Sequence, residues 1–255
     1  MKKIIKYVIL DILSSKIIIA YTLFLLLFSF GLFFMEENPE KSLTSMLTLN
    51  LIIVPLISIV FSTIYLYNSN EFIELLSAQP IKRTTLWLSI FLGLSLSLSL
   101  AFVVGCGLPV LLFAATPTGW TMIITGVLIS IIFVSLAMLV TVYTKDKARG
   151  IGVSLLVWFY FSLLFDGIVL FVLFQLMDYP LEKLIVALSV LNPIDLARIV
   201  TLLKMDISAL MGATSAVFKQ SFEGVLGTLI SLMTLVFWVF VPLFFSIKKF
   251  KKKDL

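Results

Sequence analysis

An all-α integral membrane protein with six transmembrane helices is the fold class this sequence predicts, and three observations carry it. The 255 residues are 61% hydrophobic, only 13% are charged, and the mean hydropathy is +1.17; such a composition lies outside the range of soluble globular chains. Six apolar stretches, roughly 17–35, 46–67, 86–115, 121–143, 151–177 and 222–247, are each long enough to cross a hydrocarbon core of ~30 Å. The basic residues fall unevenly on the segments that join them.

Before the first stretch, Ile5, Val8, Ile9 and Ile12 recur at helical spacing while Lys2, Lys3 and Lys6 stay polar. That pattern describes an N-terminal helix lying in the membrane interface, or an early start of the first span. No small-residue cleavage site follows, so the first span is expected to stay in the mature chain. LSLSLSL at 94–100 alternates like a strand, but an isolated strand in lipid leaves its backbone polar groups unpaired, so this stretch reads as helix. Gly93, Ser95, Ser97 and Ser99 there suit close helix packing. Cys106 is the sole cysteine and histidine is absent, which excludes an internal disulfide, zinc-finger spacings and His-based triads.

Orientation follows from the bases. Lys2, Lys3, Lys6, Lys16, Lys82, Arg83, Lys145, Lys147, Arg149, Lys248, Lys249, Lys251, Lys252 and Lys253 fall on one set of segments, and Lys41, Lys183, Arg198, Lys204 and Lys219 on the other. The richer set is expected in the cytoplasm, which places both termini there. The tail KKFKKKDL then reads as an anchor at anionic lipid, with about 1 kcal/mol from each base; no nucleic-acid partner is expected.

The stretch SNEFIELLSAQPIKR, 69–83, holds a short cytoplasmic helix over about 70–79. Asn68 or Asn70 can cap it, Glu71 and Glu74 suit the positive end of its dipole, and Pro80 ends it. Phe72, Ile73, Leu75 and Leu76 are too few to span and too apolar for water, so they must be covered by lipid, by this chain or by a second protein. The run E-L-L-S-x-P-I-x-R, here Glu74, Leu75, Leu76, Ser77, Pro80, Ile81 and Arg83, between the second and third of six spans resembles the coupling helix of ABC-2-type transporter permeases. WFYFSLLFD at 158–166 and LNPIDLARI at 191–199 are similar to the permeases of that family that serve maturation of the copper enzyme nitrous oxide reductase.

The resemblance implies that Glu71, Phe72, Glu74, Leu75, Leu76, Ser77, Pro80 and Arg83 meet a separate cytoplasmic ATPase. It further implies a second copy of the chain, a periplasmic β-helical partner and a place in the bacterial inner membrane. No G-x-x-x-x-G-K-[ST] cradle occurs, so the chain is expected to be no enzyme and to hold no cofactor or metal, with ATP and Mg in the partner. The alternatives are a generic ABC-2 exporter of another substrate and a mechanotransmission scaffold that transports nothing.

Asp166 is the acid placed inside a span. An unpaired charge there costs about 2.5 to 3.5 kcal/mol, so it needs a partner, a cavity, water or a proton; it is a candidate gating or translocation residue, or an acid that locks helix packing. The segment 178–221 is expected to form short periplasmic helices before the last span. Within it Asn192 is placed as a cap, Pro193 at the first helical position and Asp195 in the first turn, with Arg198 three residues on. These four are the candidate periplasmic partner contact.

Overall fold

The structure, a computed structural model, describes residues 2–36, 38–175, 188–204 and 225–252. Parts of the expected periplasmic segment, 178–187 and 205–221, and the start of the last expected span, 222–224, lie outside the described residues. The described chain is helical, without strands, and six helices are long and apolar enough to cross a membrane: Lys16–Met35, Pro39–Asn68, Arg83–Phe113, Pro117–Tyr143, Lys147–Val172 and Gly227–Lys251. The largest shift from expectation is in the second, which begins at Pro39. Asn38 caps it through Oδ1, which accepts from Glu40 N at 2.9 Å, and the polar first turns that an apolar window skips are helical all the same.

In chain order the elements are α1 (Lys2–Leu13), α2 (Lys16–Met35), α3 (Pro39–Asn68), α4 (Asn70–Ser77), α5 (Arg83–Phe102), α6 (Leu108–Phe113), α7 (Pro117–Tyr143), α8 (Lys147–Phe159), α9 (Phe165–Gln175), α10 (Pro193–Leu202) and α11 (Val225–Lys251). A π-turn at Val103–Gly107 joins α5 to α6, and a second at Tyr160–Leu164 joins α8 to α9. LSLSLSL is therefore the second half of α5.

α7 is the centre of the bundle, enclosed by α3, α5, α10 and α11. Its Ile132, Phe133, Ala137 and Met138 are fully buried. Gly126 permits the α5 contact, because a Cβ there would come within 2.2 Å of the Phe102 ring. α8 and α9 are the most exposed of the spans, and their outward Leu156, Leu163, Leu170 and Phe171 are surfaces that water would reject. α1 is a separate helix, and its apolar face is committed to this chain. Val8 and Ile12 are buried, and Gly93 of α5 is the hollow that receives Val8, a Cβ there falling 2.4 Å from Val8 Cγ1.

Three tryptophans fasten the bundle. Trp87 Nε1 donates to Ser246 Oγ at 2.8 Å, and that hydroxyl donates to the Met138 carbonyl at 3.0 Å, tying α5, α11 and α7. Trp238 Nε1 donates to the Val190 carbonyl at 3.0 Å. Pro55, inside α3, has no N–H for the preceding turn and its ring holds that turn open. The nearby Ile52 carbonyl takes the Trp158 indole N–H at 3.0 Å, which fixes α8 to α3. Trp158→Phe is expected to lower the unfolding free energy by about 1 kcal/mol, the order of one interhelical hydrogen bond in a membrane protein. Denaturant titration in detergent against Trp158→Tyr measures it.

Candidate functional site

Two places in the bundle carry the chemistry singled out from the sequence, one at each end. At the lysine-rich end, α4 follows α3 after a one-residue break at Ser69, whose side chain makes no cap bond. Asn68 and Asn70 are not the cap. Asn68 Oδ1 accepts from Lys147 Nζ at 2.7 Å, and Asn70 Nδ2 donates to Glu74. α4 can forgo a capping side chain because its other face is held by packing. Ile73 is buried, the Phe72 ring stacks on Tyr7 of α1 at 5.1 Å, and Leu76 packs against the core.

The eight residues expected to meet an ATPase thus divide. Phe72, Leu76 and Ser77 face the bundle, while Glu71, Glu74, Leu75 and Pro80 are exposed, Leu75 by 70%. Arg83 is half-buried, its Nη1 donating to the Lys251 carbonyl at 3.3 Å. Glu71, Glu74 and Leu75 form one exposed stripe on a helix braced from behind, because positions three and four apart share one face. Beside it lies a groove of about 750 Å³ between α4 and the ends of α7, α8 and α11, with Lys145, Lys147, Lys249 and Lys252 on its walls.

At the opposite end, α10 lies among the spans. Asn192 is fully buried; its Oδ1 accepts from Ile194 N at 3.0 Å, and Pro193 takes the first helical position. Its Nδ2 donates to the Phe161 carbonyl at 2.9 Å, in the π-turn between α8 and α9. A π-turn widens the helical ladder and leaves a carbonyl open to an outside donor. Thr125 and Thr201 hydroxyls meet at 3.3 Å, and Thr118 Oγ1 donates to the Lys204 carbonyl at 2.9 Å, so α7 holds the other side of α10.

These contacts bring Asp166 and Arg198 together. Arg198 Nη1 donates to Asp166 Oδ2 at 3.0 Å and to Asp195 Oδ1 at 3.1 Å, one nitrogen serving both carboxyls. Asp195 is the more enclosed of the two acids, with its side chain 13% exposed against 36% for Asp166. Burial, and then the charge of Asp166, push the Asp195 carboxyl up to about 7 against the opposing pull of Arg198. Asp166 lies nineteen positions beyond Lys147, about 28 Å at 1.5 Å per residue, so it sits in the last third of its span.

The mate of Asp166 is the residue that reading the sequence missed. Arg198 is 32 positions away, in a segment set outside the spans. A signal was present: PIDLARIVTL buries Ile194, Leu196, Ala197, Ile199 and Val200, and a helix apolar on nearly every side is one that packs inside. The four residues expected at a periplasmic contact all lie at this end of the bundle. Asn192 and Pro193 are enclosed by the bundle, and Arg198 pairs with both Asp166 and Asp195. A third polar contact, from Asn50 Nδ2 to the buried Cys106 Sγ at 3.0 Å, joins α3 to the first π-turn and gives the cysteine a packing role.

No protein-family model matches the chain. Among curated proteins, it is 31% identical over 183 residues to a Pseudomonas aeruginosa protein named probable ABC transporter permease protein NosY, a match covering 67% of this chain and 66% of that one. The protein of the same name from Stutzerimonas stutzeri is 25% identical over 224 residues, 83% of this chain and 80% of the relative. With these matches and its six apolar helices, the chain belongs to the ABC transporter permeases and resembles NosY.

Proposed function

We propose that this chain is the membrane subunit through which a separate cytoplasmic ABC ATPase drives transport or conformational signalling, in the service of nitrous oxide reductase maturation. One observation carries the reading: Glu71, Glu74 and Leu75 stand exposed on α4, while Ile73, Phe72 and Leu76 lock the same helix into the bundle. A helix held from behind passes a push on its outer face to α1, α3 and α5 as a displacement, the mechanical requirement for coupling. The lysine groove beside it offers a second, electrostatic hold for a subunit carrying acidic residues.

On this reading α4 and both termini face the cytoplasm, in keeping with the excess of bases at that end. Two copies assemble in the bacterial inner membrane, and a periplasmic β-helical protein meets the far side. The centre of the single copy is filled by side chains such as Phe102 and Phe133, both fully buried. Cargo therefore passes between copies, and the filled centre also favours the second reading, a scaffold that changes shape without passing a solute. Affinity purification of the tagged chain from its native membranes tests the proposal. An ABC ATPase recovered in equal amount, with vanadate-sensitive ATP hydrolysis, is expected; a chain that purifies alone without hydrolysis overturns it. Solute counterflow in liposomes carrying the recovered complex separates transport from scaffold.

A further inference from the structure

We propose that Asp166, Asp195 and Arg198 form a proton-binding site in which the two carboxyls share one proton, and that the bound proton keeps α10 latched to the fifth span. The inference is independent of the ATPase reading, since it concerns how one copy of the chain holds itself together.

The geometry requires a proton for a simple reason. Both carboxyls accept from the same guanidinium nitrogen, at 3.0 and 3.1 Å, and they lie within hydrogen-bond reach of each other. One guanidinium neutralises one carboxylate. A second carboxylate in contact with the first, and with its own side chain only 13% exposed as that of Asp195 is, is repelled unless one of the two is protonated. With the proton, the group is neutral overall and the carboxyl–carboxyl contact becomes a hydrogen bond.

The charges that act on Asp195 among the described residues are those of Asp166 and Arg198. Among the described residues, the second π-turn contributes Tyr160, and α10 ends near Lys204, whose carbonyl is held by Thr118. α3 carries charge at Glu40 and Lys41, in its first turn, and its Tyr65 and Tyr67 lie at the far end. α7 and α11 bring their titratable groups, Tyr143 and the α11 lysines, to the lysine-rich end, as α8 does with Lys147 and Arg149.

What the site holds in place is α10. Asp166 belongs to the fifth span; Asp195 and Arg198 belong to α10. The one other hydrogen bond from α10's cap to that span is Asn192 to the Phe161 carbonyl, one turn away along the π-turn. When α10 leaves, Asp195 returns to water and gives its proton up, so between about pH 4 and about pH 7 release of the helix carries release of up to one proton. The burial that pushes Asp195 up to about 7 places the event near physiological pH. Because the latched form binds more protons than the released one, the latch is strongest below the ordinary carboxylate range, weakens as pH rises from about 4 to about 7, and is level above.

Hydrogen–deuterium exchange of the full chain in nanodiscs, corrected for intrinsic exchange, reads the opening of α10 against pH. The expected result is opening that increases up to tenfold per pH unit across that window in the wild type. In Asp195→Asn, which carries its own hydrogens, the profile is flat. In Asp166→Asn, Asp195 has Arg198 to itself, so the pH-dependent window moves to lower pH. Infrared spectroscopy gives a second readout free of opening kinetics: a protonated-carboxyl band at pH 6 in the wild type that Asp195→Asn abolishes. A flat wild-type profile, a profile that Asp195→Asn leaves unchanged, or the absence of that band overturns the proposal.

Discussion

Leu75→Arg is expected to strip the ATPase from the membrane subunit while the helical bundle stays folded. The side chain is 70% exposed on α4, so the bundle neither gains nor loses packing when it changes. In the complex it is the one large apolar group of the exposed stripe, and burying a leucine against a partner contributes about 1.5 to 3 kcal/mol. Losing that contact weakens binding by about tenfold to a hundredfold, and a guanidinium forced into the same cleft adds a desolvation cost. Leu76→Arg is the informative control. Leu76 packs against the core, so its arginine variant is expected to lower the yield of folded chain and to lose the ATPase for that reason. Size-exclusion profiles in detergent, read beside co-purification, distinguish the two. Undiminished ATPase recovery with Leu75→Arg means the contact lies elsewhere, the lysine groove being the next place to look.

How α4 divides its residues shows where sequence reading reaches its limit. Its position, length and polar ends follow from local chemistry: acids in the first turn, proline after the last, long apolar runs on either side. Which of Leu75 and Leu76 faces outward depends on the angle at which α3 delivers the chain, and a one-residue turn at Ser69 sets that angle. The same limit explains the caps. Asn68 is next to the right position, yet Lys147, at the start of α8 and 79 positions on, claims its side chain.

The spans were legible because lipid imposes length and hydropathy on every segment that crosses it. α10 was not, because a helix of ten residues inside a bundle meets no such requirement. Its cap was readable from Asn192 and Pro193, which act on their own backbone. Its neighbours were not readable, since the Phe161 carbonyl becomes available only through a π-turn that leaves no mark in the sequence. Pairing across tens of residues, Asp166 to Arg198 or Asn50 to Cys106, is a property of the assembled bundle.

Arg198→Met is expected to be the most damaging single change at the far end, and its cost is expected to depend on pH. Methionine keeps most of the side-chain length and apolar contact, so the loss is chiefly of charge. Two carboxyls are then left in contact without a cation. Removing one partner from a buried ion pair typically costs about 3 to 5 kcal/mol; with the side chains of Asp166 and Arg198 each 36% exposed, solvent screening reduces the expectation to about 2 kcal/mol. Without the guanidinium, whose charge opposes the upward push on Asp195, that carboxyl holds its proton to higher pH than in the wild type, so the variant is least impaired in acid and loses further stability as pH rises toward neutrality. The triple variant Arg198→Met, Asp166→Asn, Asp195→Asn replaces every charge with neutral groups of similar size, and it is expected to recover most of the loss and to show none of the pH dependence that this site gives the wild type. Thermal unfolding in detergent at pH 5 and pH 8 across the wild type, the single and the triple variant measures all three. A single variant as stable as the wild type at both pH values shows that the Arg198 bridge contributes nothing to holding α10 in the bundle, and the fastening then rests on Asn192 and the two threonine contacts.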